Sequence, residues 1–244
     1  MKRLWPSLPL ILLAYLLAVS AYGAEPKFVE VKTLALSRLF VTKRDWNISA
    51  YEPKEDPTGY IAAKVCFWAD PEQKETACEP IQSGDAYQSV TELAVVPVRQ
   101  SQPAVWGVML VAHYTIPEGG SGSSTAVLIW TYDRSADKFE QKTFSTVSGI
   151  GEYQVLGAGP LAGHFVIAEG IWVGDEGHFG LHHFDIRVYK YGRLADESMD
   201  GYHFVLQYIT LKRYESEEIR AIMPELDNIQ RFLKVIYPKP DLIR

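Results

Sequence analysis

Long apolar runs are scarce in this chain of 244 residues. The one continuous stretch, residues 8–19, has about twelve residues, where a bilayer span needs roughly twenty. A polytopic membrane protein is thereby excluded. An excess of positive charge is also missing: 24 basic residues stand against 30 acidic ones, a net charge of −6. Such a surface has no general attraction for nucleic acid or anionic lipid. Cysteine occurs only twice, as Cys66 and Cys78, with no C-x-x-C spacing, so a dithiol redox centre is not expected. The signatures G-x-S-x-G, H-E-x-x-H and D-x-D-x-D are all absent, and the glycines at 119–122 follow no phosphate-loop spacing. What remains is an ordinary globular composition, 47% hydrophobic and 22% charged, which excludes disorder and collagen.

The N-terminus carries an export signal. Met1-Lys2-Arg3 is a short positive segment, the apolar stretch follows, and Ala21 and Gly23 supply small residues before a cut between Gly23 and Ala24. Residues 1–23 are read as a signal peptide, and 24–244 as one soluble domain with no integral membrane span after processing. Loss of Lys2 and Arg3 takes the net charge to −8. The expected address is periplasmic or secreted. In that setting two cysteines read as one disulfide, Cys66–Cys78.

The mature chain reads as all-β and antiparallel, in three tandem units of about sixty residues. The units start near Phe28, Tyr87 and Tyr153. Apolar runs at 46–50, 106–110 and 164–168 each precede a second run, at 62–66, 126–130 and 184–188. Asp70 and Asp133 follow the second run in the first two units. Residues 105–112 and 125–130 are apolar on both alternating faces, as strands covered on both sides must be. Phe184, Ile186 and Val188 alternate with polar residues, as a half-exposed strand does. Four strands per unit suggest propeller-like blades, with a trefoil or a sandwich as alternatives. The two cysteines fall on consecutive strands, where facing α-carbons suit a disulfide. Near the C-terminus, Leu226, Ile229, Phe232, Leu233 and Ile236 recur at helical spacing behind Pro224. One amphipathic helix is expected near 224–236, covering a sheet edge or face.

Chemistry concentrates in residues 169–183. Three of the six histidines, His178, His182 and His183, fall here with Glu169, Asp175, Glu176 and Trp172. Imidazole and carboxylate are the usual ligands of zinc, and glycines let a loop wrap an ion. Glu176, His178, His182 and His183 are the candidate ligands of a divalent metal, and Glu169, Trp172 and Asp175 complete a possible binding loop. No catalytic residue and no firm cofactor follow from the sequence. The expectation is an exported, non-catalytic binding or assembly protein whose partner is a protein or small ligand. The alternative is a zinc-dependent hydrolase centred on 169–183.

Overall fold

The computed structural model describes residues 26–56, 58–100, 104–116, 123–149, 151–157, 159, 161–171, 180–193 and 200–214. The processing segment and the helix expected near 224–236 lie outside these residues. The fold is all-β.

Three four-stranded antiparallel meanders follow one another along the chain. The first comprises β1 (Phe28–Ala35), β2 (Asn47–Pro53), β3 (Lys64–Trp68) and β4 (Cys78–Pro80). A minor pair, β5 (Gln82–Ser83) and β6 (Asp85–Ala86), leads to the second sheet. That sheet comprises β7 (Ser89–Arg99), β8 (Val105–Thr115), β9 (Ser123–Asp133) and β10 (Lys138–Ser148). The third comprises β11 (Gly151–Val155), β12 (Phe165–Ile171), β13 (His183–Gly192) and β14 (Gly201–Ile209). Helical structure among the described residues is limited to one turn, α1 (Ser37–Phe40), and a 3-10 helix over Pro71–Ala77.

The expected repeat is present strand for strand. Its most local sign is a shared turn. Asp70 accepts a hydrogen bond from the Glu72 N–H, and Asp133 accepts one from the Ser135 N–H, so the same aspartate caps the same connection in two units. The starts of the second and third units are not equivalent: Tyr87 is a buried residue before β7, whereas Tyr153 lies within β11.

The sheets stack face to face with the second in the middle. Alternation along β8 and β9 sends Val108, Leu110, Ala112, Ala126, Leu128 and Trp130 against Ile48, Ala50 and Val65 of the first sheet. The intervening Met109, Val111, Val127 and Ile129 meet Phe165, Ile167 and Tyr191 of the third. Double-sided burial is what the unbroken apolar runs at the centres of β8 and β9, residues 107–112 and 126–130, require. Gly107 lets the backbone come close: a Cβ there would stand 2.8 Å from Val98 Cγ1 and 3.0 Å from the Trp130 carbonyl oxygen.

The other face of the first sheet is polar and is roofed by the 3-10 helix. Ser49 accepts from Trp68 Nε1 at 3.1 Å, and Lys74 lies over the rings of Tyr51 and Trp68 while pairing with Glu30. Cys66 and Cys78 face each other across β3 and β4 and are joined by the expected disulfide. In a propeller ring a neighbouring blade would cover this face. Here the chain's own helix does so, and the described residues form an open stack.

Candidate functional site: the base of the β12–β13 connection

Most of the chemistry-rich segment lies in the connection from Ile171 to His183. Trp172, Asp175, Glu176 and His178 fall outside the described residues. Glu169, His182 and His183 are described, and they stand where the connection leaves and rejoins the sheet.

Antiparallel register sets Ile171 opposite His183 and Glu169 opposite Asp185. The period of two then places Glu169, His183, Asp185 and Arg187 on the face that looks toward the second sheet. Arg187 pairs with Glu169 through its terminal nitrogen, and its Nε lies 3.7 Å from Asp185 Oδ2. Asp185 also accepts two bonds from Gln207 Nε2, each 2.9 Å long. Glu169 accepts from the Ser148 N–H at 3.1 Å, which ties the end of β10 to the third sheet. Two carboxylates thus share one guanidinium, leaving one formal negative charge, and the side chains are a quarter exposed: 28% for Glu169, 23% for Asp185 and 26% for Arg187.

The paired histidines diverge. His182 is buried, forms a β-bridge with Tyr214 and belongs to the opposite face of the sheet. His183 is half-buried and its Nδ1 lies 2.7 Å from the Thr210 carbonyl oxygen. Because a carbonyl only accepts, Nδ1 carries a proton, and in the neutral imidazole Nε2 is the lone-pair donor. Adjacent residues on a strand point to opposite faces, so His182 and His183 do not both turn toward one ion. Among the described residues no group of three or more His, Cys, Asp or Glu side chains is placed to hold a metal ion.

The remaining histidines lie elsewhere. His203 stands opposite Lys190 in the register, and its Nε2 is 2.9 Å from the Gly192 carbonyl oxygen. His164 precedes β12, with burial lowering its pKa and Lys190 adding to the effect. Both sit at the far end of the third sheet, about 20 Å along β12 from the connection by strand rise. His113 bonds Thr125 Oγ1 at 2.7 Å in the second sheet.

Sequence reading missed Asp185, Arg187 and Gln207. The alternation of residues 184–188 does place Asp185 and Arg187 with His183 on one face. The register that brings Glu169 and Gln207 to them is set by strand pairing over 16 to 22 residues, which no local pattern reveals. In comparisons with known proteins, no family model, no curated protein and no solved structure matches this chain.

Proposed function

We propose that this chain is an exported, non-catalytic binding or assembly protein that engages a protein or small ligand through the β12–β13 connection. The observation that carries this reading is the commitment of the polar groups beneath the connection. Asp185 is held by Gln207, and Glu169 by Arg187 and a backbone N–H. A general base or nucleophile must present a free lone pair to the group it acts on. These carboxylates instead brace each other and fix the ends of a long connection, which suits a rigid platform for a recognition loop. The signal-like residues 1–23 and the disulfide support export.

One observation favours the zinc-hydrolase alternative. A metal-bound histidine typically donates its other ring N–H to a carbonyl or carboxylate, and His183 makes such a bond to Thr210. Elemental analysis separates the readings. We expect purified protein and the double substitution His178→Ala/His183→Ala to be equally metal-free, with unchanged circular dichroism. One zinc per chain, lost in the double variant while the β-signal persists, would replace the binding reading with the hydrolase.

A further inference from the structure

We propose that the chain's own C-terminal segment, residues 215–244, closes the outer face of the third sheet by laying the apolar stripe of residues 224–236 along β12 and β13. The inference is independent of what the β12–β13 connection binds.

The third sheet has two apolar faces. Phe165, Ile167 and Tyr191 look toward the second sheet. The alternate residues Val166, Ala168, Phe184, Ile186 and Val188 point the other way, where no further sheet follows among the described residues. Even so, Val166, Ala168, Ile186 and Val188 are 0% exposed and Phe184 is 2% exposed. Leu206 and Tyr208 extend this face onto β14, in register with Val188 and Ile186. Among the described residues, Leu156, Leu161 and Tyr214 are the apolar side chains that join the cluster from outside the strands. Leu156 and Leu161 belong to the connection that leads into the start of β12. Tyr214 lies against Phe184 at the opposite end, with ring centroids 6.4 Å apart. Ala168 and Ile186, paired between those ends, are left for another element to cover.

The C-terminal segment fits this face in position, reach and size. Tyr214 is held beside His182 by two reciprocal backbone bonds of 3.0 and 2.8 Å, so residue 215 sets out from the rim of the face. Residues 215–223 then precede Pro224, and a stretch of that length spans up to about 30 Å. Leu226, Ile229, Phe232, Leu233 and Ile236 share an arc of about 120° on a helix, with Asp227, Arg231 and Lys234 on the other side. A helix over 224–236 would be about 20 Å long and about 10 Å wide. β12 is about 23 Å long, and β12 to β14 span about 10 Å across the sheet. A separate partner on this face would leave the stripe at 226–236 with no apolar surface of its own. Docking also secures the Tyr214 bridge. His182 is then held from the outer side of the sheet while Glu169 and Arg187 brace the connection from the inner side.

Photo-cross-linking of the full processed chain tests this. Phe232→p-benzoylphenylalanine should cross-link, within a single chain, to peptides from residues 165–171 or 183–192. The same replacement at Arg231 should not. Ile229→Asp/Leu233→Asp should uncover the face and raise the fluorescence of added anilinonaphthalene sulfonate about threefold or more, with circular dichroism still β-rich. Arg231→Gln should change neither signal. Cross-links from position 232 to a second copy, to the first or second sheet, or to nothing at all overturn the proposal. So does a double variant that folds and leaves the dye at its wild-type signal. If the double variant does not fold, the cross-link from position 232 decides.

Discussion

Asp137 shows how much one side chain can join. It occupies the left-handed region, at φ 50°, in the turn between β9 and β10. Its Oδ1 accepts from Tyr132 Oη at 2.5 Å and Trp46 Nε1 at 3.1 Å, and its Oδ2 accepts from Arg44 Nε at 2.7 Å. These bonds, that of Tyr132 foremost, hold its pKa down at about 2. A carboxylate whose folded pKa lies below its unfolded value near 4 stabilises the fold above that value and loses the contribution as pH falls toward 2. Thermal melts should therefore show wild-type stability dropping through this window. Asp137→Asn keeps the shape and tolerates the left-handed backbone. It should melt lower at pH 7 and show a flatter response between pH 4 and 2. In the sequence Asp137 is an ordinary turn aspartate. Its partners Arg44 and Trp46 lie 93 and 91 residues away, so no local signal marks the clamp between the first and second sheets.

At the level of elements, the strands were legible because each obeys the environment of its faces. The centres of β8 and β9, residues 107–112 and 126–130, are apolar and covered twice, while β13 alternates and buries Phe184, Ile186 and Val188 on one face. The bulges were not legible. Val31, Thr91, Val98, Lys142 and Val205 are the extra residues of edge strands, and nothing in their composition distinguishes them from neighbours in register. Cys66 and Cys78 were legible because the signal-like N-terminal pattern and strand position pointed the same way. Their bond closes a short loop, with a sequence separation of 12, so its chain-entropy contribution is at most about 3 kcal/mol. Urea unfolding of Cys66→Ala/Cys78→Ala should show a loss of that order or less. Non-reduced wild-type protein should contain no thiol that reacts with an alkylating reagent.

For the whole molecule, the middle sheet is the common wall of two cores. Leu110 faces the first sheet and Ile129 the third, and both are fully buried. Truncation of either to alanine should cost about 2–5 kcal/mol. Because both lie on one sheet, each substitution should move a single transition, with tryptophan fluorescence and circular dichroism remaining coincident. Two separated transitions would mean that the sheets unfold independently. The three-unit plan was readable from spacing. The order of layers and the roof over the first sheet depend on which faces meet, and sequence spacing carries no information about that.

Every sheet is assembled from consecutive strands, and the sheets succeed one another without crossing. A ribosome or a translocation channel delivers residues in this same sequence. The first meander, with both cysteines, is complete before the second begins to emerge, and its apolar side offers a template on which the next can condense. The arrangement suits folding from one end to the other during delivery. Its vulnerable moment is the interval in which one finished sheet still waits for its neighbour.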